Sequence, residues 1–175
     1  MRDILKTKRL VLRPFVETDW KSLVNYAGDI DVARATGRLP HPYNYEDAQN
    51  WIAITKSAKA DHIYGIANND DHLMGCISLI DTNSRWDMGY WLAQKFWRQG
   101  YMREAGQAIL SEAKRCLAPT TILATVFKDN PRSHAVLKAF KFQAIAEVSE
   151  ICVARGHAVD AYRLELNLAS ECSDA

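Results

Sequence analysis

Little in this 175-residue sequence runs to an extreme. It has no Cys-x-x-Cys pair: Cys76, Cys116, Cys152 and Cys172 stand far apart, which excludes a zinc ribbon. A chain of this length buries enough surface to need no disulfide staple, so its thiols are expected to be reduced in a cytoplasmic setting. No run approaches the ~18 apolar residues of a membrane span. The opening Met1-Arg2-Asp3-Ile4-Leu5-Lys6 lacks the apolar stretch of a signal peptide, so no membrane association is expected. Neither sign of charge dominates: 22 Lys and Arg face 21 Asp and Glu. That balance leaves no compositional pull toward nucleic acid. His41 and His62 stand alone, without metal-ligand spacing, and no metal is expected. Repeats and low-complexity tracts are missing too. A single domain over residues 1–169 is expected, then a polar, frayed tail over 170–175.

What remains is a run of short amphipathic elements. Residues 9–15 alternate, with Leu10, Leu12 and Pro14 opposite Arg9, Val11 and Arg13, as in a strand ended by proline. Thr18 and Asp19 are placed to cap a short helix carrying Trp20, Leu23, Val24 and Ala27 on one face. Pro40 and Pro42 make residues 38–44 a loop. Tyr45-Glu46-Asp47 then opens a second helix with Ala48, Trp51, Ile52 and Thr55 inward. Three strands over 62–67, 73–80 and 85–92 are joined by Asn68-Asn69-Asp70-Asp71 and Asp81-Thr82-Asn83-Ser84, the pattern of an antiparallel meander. A helix over 100–116 (Ala105, Ala108, Ile109, Glu112 and Ala113 at helical spacing), a strand over 120–127 and a helix over 130–140 follow. Residues 142–152 and 158–168 close as a hairpin about Arg155-Gly156-His157. A strand–helix–strand crossover inside an antiparallel series predicts an α+β fold with a mixed, mostly antiparallel sheet and helices on both faces.

Two segments carry chemistry. In residues 87–105 a strand runs through a short loop into a helix, with Gly100 in its first turn. Unpaired N–H groups at such a helix start, with the positive end of the dipole, make an anion site. Arg98 and Arg103 add charge at the same end. A capped helix start with a solvated arginine accounts for the segment equally well. In Asn130-Pro131-Arg132-Ser133, proline suits the first helical position and asparagine the N-cap, and Asn130 and Ser133 share one edge of the helix entrance. Helix capping alone explains this asparagine as readily as a binding role.

Together and in this order, the two segments resemble the GCN5-related N-acetyltransferase (GNAT) superfamily, and within it the RimJ/RimL-type ribosomal-protein N-terminal acetyltransferases. Thr7-Lys8-Arg9-Leu10-Val11-Leu12-Arg13-Pro14 resembles that group's first strand, and Asp87-Met88-Gly89-Tyr90-Trp91-Leu92 its central strand. Phe96-Trp97-Arg98-Gln99-Gly100-Tyr101 with Glu104-Ala105 resembles its pyrophosphate loop. Asn130-Pro131-Arg132-Ser133 with Val136-Leu137-Lys138 and Phe142 resembles its late helix. The likeness spans residues 7–150. Three residues depart from it: Arg98 and Met102 stand where the family has small residues, and Lys141 where it has glycine.

The resemblance implies acetyl-CoA as co-substrate and an amine as acceptor, in a monomer or homodimer. The pantetheine arm would pair with the backbone of Tyr90, Trp91 and Leu92 as an added strand. The amides of Arg98, Gln99, Gly100, Tyr101, Met102 and Arg103 would hold the pyrophosphate, and Asn130 the pantetheine. Asp87 stands where relatives carry a glutamate base, or it is a strand-edge charge paired with Arg85 or another base. The family's late-helix tyrosine is absent, leaving Ser133 to serve the departing thiolate, or to be an ordinary helix serine. Tyr43, Tyr45 and Trp51 are candidates for an acceptor slot built from residues 35–45 and the second helix; two of the three are expected in the core. The acceptor is a protein N-terminal α-amine or a small-molecule amine; a non-catalytic acyl-CoA-binding module is the reading from another class.

Overall fold

The computed structural model describes residues 1–58, 61–83, 85–117 and 120–169. The tail expected at 170–175, with Cys172, and Ser84 of the second turn lie outside them. Among the described residues no helix is long and apolar enough to cross a membrane.

The strands are β1 (Leu5–Lys6), β2 (Leu10–Arg13), β3 (His62–Asn68), β4 (Leu73–Asp81), β5 (Trp86–Leu92), β6 (Thr120–Phe127), β7 (Gln143–Cys152) and β8 (His157–Leu168). The helices are α1 (Trp20–Ala27), α2 (Ile30–Ala33), α3 (Tyr45–Ser57), α4 (Tyr101–Leu117) and α5 (Pro131–Ala139). The strands form one eight-stranded sheet in the order β1-β2-β3-β4-β5-β6-β8-β7. Every pairing is antiparallel except β5 with β6, whose crossover is α4. The fold is therefore α+β with a mixed, mostly antiparallel sheet, as the alternation of periods predicts. β1 and α2 are additions to that reading, each too short to show a period.

Two main apolar cores lie on the sheet, beside a small third cluster of Phe127, Cys152 and Ala161. The larger gathers Leu10, Leu12, Ile77 and Leu79 of the sheet with Met102, Ala105 and Ile109 of α4 and Leu137 of α5. The smaller gathers Leu23 and Ala27 of α1, Ala48 and Ile52 of α3, and Leu73 and Cys76 of β4. Along β4, Cys76 and Ile77 point to opposite sides, as strand geometry requires.

Local chemistry fixes the elements. α3 begins in a reciprocal box: Asn44 accepts from the Asp47 amide at 3.1 Å, and Asp47 accepts from the Asn44 amide at 2.8 Å. At α1 the expected Asp19 cap is corrected. Its carboxylate turns back to Arg13 at 2.8 and 3.0 Å and to the Val16 amide at 2.9 Å. Arg13 is thereby buried with its partner, against the alternation that placed it outward; two opposite charges neutralise each other where one alone is too costly to bury. On α4, a Cβ at Gly106 would lie 2.4 Å from the Phe140 ring, so only glycine lets α5 settle this close to α4.

Candidate active site

The sheet is interrupted where it matters. β4 follows β5 along its whole length, to the pair Gly75 and Leu92. β6 stays with β5 only at Trp86↔Ile122 and Asp87↔Leu123, so Met88 to Leu92 has no partner there. Between the parted strands opens a cleft of about 340 Å³. Tyr90, Trp91 and Leu92 line one wall, and Phe96, Trp97, Arg98, Gly100, Tyr101, Met102 and Arg103 the entry to α4. Asn130, Arg132, Ser133, Ala135 and Val136 of α5 and its cap form the opposite wall, and Val32, Ala35 and Thr36 close one end.

The loop into α4 makes two left-handed turns, at Arg98 (φ 60°) and Gly100 (φ 79°). Gly100 stands just before the helix rather than in its first turn. Its carbonyl accepts the Glu104 amide at 3.0 Å, which leaves the amides of Tyr101, Met102 and Arg103 without intrahelical partners. These donors and the helix dipole face the cleft end where Arg98 and Arg103 stand. Glu104 anchors the turn from below. Its carboxylate accepts from Thr7 Oγ1 at 2.6 Å, the Arg9 amide at 2.8 Å and Arg9 Nε at 2.6 Å. Burial by itself raises its pKa, but the bonds from Thr7 and Arg9 outweigh burial and hold it below the usual value. Arg9 Nη1 then donates to the Gln99 carbonyl at 3.0 Å. Gln99 alone of the expected cofactor residues does not line the cleft; its side chain donates to the Lys95 carbonyl at 2.8 Å.

The departures from the family have a backbone meaning. Lys141 takes φ 66° at the end of α5, where Lys141 N donates to the Lys138 carbonyl and Phe142 N to the Leu137 carbonyl at 3.2 Å. That is the αL helix ending usually given to glycine. Arg98 and Lys141 therefore occupy the conformation glycine adopts most easily. Met102 is buried and packs into the larger core beside the cleft.

At the opposite wall, Asn130 Oδ1 accepts the Ser133 amide at 3.1 Å while Nδ2 donates to the Ala35 carbonyl at 3.3 Å. Both ends of the side chain are thus engaged within the protein: it caps α5 and ties the loop after α2 to it. The same loop is held from the β7–β8 turn by Arg155 Nε to the Arg34 carbonyl at 2.9 Å and by Val153 N to the Gly37 carbonyl at 3.0 Å. Ser133 Oγ lies 2.8 Å from the Tyr90 hydroxyl.

Asp87 sits where β5 and β6 separate, outside the cleft lining. Its Oδ1 is 3.3 Å from Arg163 Nη1, with a quarter (25%) of the side chain exposed, so its cationic neighbour is Arg163 of β8 rather than Arg85. Tyr43, Tyr45 and Trp51 do not line the cleft. Tyr43 is buried in the smaller core, Tyr45 is exposed edge-on to Trp20 at 5.0 Å, and Trp51 packs on Phe15 at 6.2 Å. α3 is held on the α1 side, so of the loop at 35–45 only Ala35 and Thr36 line this cleft. The Trp51 indole N–H is buried with no partner among the described residues.

Sequence reasoning missed Trp97 and Arg132. Trp97 Nε1 donates to the Leu92 carbonyl at 2.7 Å, and the Arg132 guanidinium lies 4.3 Å from the Trp97 ring, spanning the two walls. The signal was an aromatic in the loop and an arginine in the capped turn, but nothing in their spacing of 35 positions pairs them.

Comparison with known proteins bears on this cleft. The family profile described as "Acetyltransferase (GNAT) domain" matches residues 9–143. The uncharacterized N-acetyltransferase YnaD of Bacillus subtilis (strain 168) is 28% identical over 137 residues, 77% of this chain and 79% of that protein. Among solved structures, RimL, a ribosomal L7/L12 alpha-N-protein acetyltransferase in complex with coenzyme A, superposes with a TM-score of 0.82 at 18% identity, covering 96% of this chain and 99% of that one. Spermidine N-acetyltransferase from Vibrio cholerae, in complex with CoA and spermine, superposes with a TM-score of 0.78 at 16% identity, covering 93% and 97%.

Proposed function

The chain belongs to the GNAT acetyltransferase family and is an acyltransferase that uses acetyl-CoA, and we propose that its acceptor is the α-amine of a peptide or protein N-terminus. The single observation that carries the acceptor choice is the charge of the cleft. Its described lining holds no carboxylate to receive the further ammonium groups of a polycation such as spermine, while Arg98 and Arg103 stand at the diphosphate end. Acid–base chemistry agrees. An α-amine titrates near ~8 and a lysine-type amine near ~10.4, so far more of the former is neutral at physiological pH.

In this reading the pantetheine arm lies along the open edge of β5 at Tyr90 to Leu92, where its amides replace the missing strand and Trp97 already occupies the Leu92 carbonyl. The pyrophosphate rests on the amides of Tyr101, Met102 and Arg103, with Arg98 beside it. Gln99 contributes its backbone turn alone. Asn130 acts by holding Ser133 and Ala35 in place rather than by spending its amide on the arm. The amine nitrogen attacks the thioester carbon, and the C–S bond breaks with its electron pair on sulfur. The proton released by the amine passes through water to Asp87. Arg163 Nη1, 3.3 Å from Asp87 Oδ1, holds that carboxylate in place.

The test is thiol release from acetyl-CoA with three acceptors: an N-terminal peptide, spermidine and a free amino acid. Peptide turnover well above the other two is the expected result. Faster turnover of spermidine overturns the acceptor assignment, and acetyl-CoA binding without release of thiol from any amine supports a non-catalytic acyl-CoA-binding module instead.

A further inference from the structure

We propose that Tyr90 is a positioning residue that turns the Ser133 hydroxyl proton into the cleft, toward the sulfur that leaves acetyl-CoA; the proposal rests on the acetyl-CoA reading above. α5 offers no tyrosine for that sulfur. Its next turn presents Leu137, which is buried, and Lys138, which is exposed. β5 supplies a phenol instead, from the facing wall.

Tyr90 stands opposite Ile77 of β4, its ring packed on the larger core and its hydroxyl reaching across to the first turn of α5. There it finds two acceptors on one residue: Ser133 Oγ at 2.8 Å and the Ser133 carbonyl at 3.2 Å. A phenol has one proton to give. Given to the carbonyl, it leaves the phenol oxygen to attract the Ser133 proton, and that proton then points away from the cleft. Given to Oγ, it leaves the Ser133 proton free for an outside acceptor. At rest the first arrangement satisfies both contacts, but a thiolate is a stronger acceptor than a phenol oxygen, so the charge forming on sulfur draws the Ser133 proton into the cleft and the Tyr90 proton to Oγ. Ser133 is fixed for it by the Asn130 cap on its amide, at 3.1 Å. Two hydroxyls in series also polarise one another, so the outer one donates more strongly.

Burial pushes the Tyr90 phenol up to about 12, against a lesser opposing effect of the Ser133 bond, so it holds its proton at any working pH. The other charged groups lining the cleft are Arg98, Arg103 and Arg132, and Arg132 is stacked on Trp97. His134, next to Ser133, is turned to stack on Tyr162 with ring centroids 5.7 Å apart. When the C–S bond breaks, the electron pair stays on sulfur and the thiolate accepts a hydrogen bond from Ser133, whose oxygen accepts one from Tyr90. The thiolate takes its own proton later, from solvent, so neither hydroxyl is consumed.

Tyr90→Phe keeps the ring in the core and removes the hydroxyl. With acetyl-CoA and an amine, kcat is expected to fall about 10-fold with KM for acetyl-CoA changed less than about 2-fold. Ser133→Ala is expected to lose as much or more, and the double variant no more than Ser133→Ala, because Tyr90 acts through Ser133. A second readout needs no turnover: titration of the bound CoA thiol by its ultraviolet thiolate absorbance. In the wild-type protein the thiol should titrate about one unit below free CoA, and both variants should return it toward the free value. A Tyr90→Phe protein that titrates like wild type, or losses that multiply in the double variant, overturns the relay. CoA bound with an unshifted thiol overturns the relay alone. A wild-type protein that binds no CoA overturns the acetyl-CoA reading, and the relay falls with it.

Discussion

Replacing Arg98 by glycine should push stability and cofactor affinity in opposite directions. Arg98 holds φ 60°, a left-handed conformation that costs an L-residue roughly 1–2 kcal/mol. Glycine removes that cost but adds unfolded-state freedom worth roughly 0.5–1 kcal/mol. The net is a gain of about 0.5–1 kcal/mol, which raises Tm by about 1–4 °C in a domain of this size. The side chain is exposed at the cleft mouth, so its contact with a diphosphate is screened by water. Its loss is worth about 1 kcal/mol, or about 5-fold in Kd. Lys141 supplies the control, since it takes φ 66° outside the cleft lining. Lys141→Gly should raise Tm similarly and leave acetyl-CoA affinity unchanged. Differential scanning calorimetry gives the first quantity and isothermal titration the second. An Arg98→Gly protein that melts lower than wild type, or binds acetyl-CoA as tightly, refutes the reasoning.

Three further outcomes follow from the same geometry. Gly100→Val forces a β-branched residue to φ 79° at the phosphate turn, so both Tm and acetyl-CoA affinity should drop together, affinity by about 10-fold or more; a normal Kd by titration removes Gly100 from the site. Asp87→Asn should lower kcat with little change in acetyl-CoA affinity and flatten the acid limb of the pH–rate profile; an unaltered profile rules Asp87 out as the base. Glu112 on α4 is held down at about 2, chiefly by hydrogen bonds from Arg115 and, against opposing burial, by the Arg2 amide at 2.9 Å. Its folded value lies below the unfolded one of 4.5, so its stabilisation is present above that pH and fades as pH falls toward 2. Glu112→Gln should therefore lower Tm at neutral pH and lessen the loss of Tm on acidification; parallel wild-type and variant curves over that window would contradict it.

Much of this architecture can be read from periodicity. β6 and the α4 inner face follow from alternation and 3.6-residue spacing, because a core selects residues by face. The cofactor wall is legible for a different reason. A glycine before a helix and an Asn-Pro helix start are local backbone events, recorded within a few residues of sequence. What depends on distant partners is not. Arg13 reads as a surface residue until Asp19 and Asp71 are folded against it, and Asn130 reads as a helix cap or a pantetheine ligand, with no sign of its second bond to Ala35. The acceptor-side wall is the clearest case. Aromatic residues near the variable loop suggested a slot of Tyr43, Tyr45 and Trp51, but α3 packs its own face on α1 and β4. The small residues Ala35 and Thr36, carrying no chemical signal, occupy the cleft end instead. The left-handed turns at Arg98 and Lys141 are hidden for the opposite reason: both carry side chains that disguise a glycine position.

The central claim is that the parted strands β5 and β6 receive the thioester arm while the start of α4 grips its diphosphate. A crystal structure of the protein grown with acetyl-CoA tests it directly. The account predicts pantetheine amides bonded along Tyr90 to Leu92 and phosphate oxygens on the amides of Tyr101, Met102 and Arg103. Coenzyme density elsewhere on the sheet, with this cleft holding only water, would contradict it.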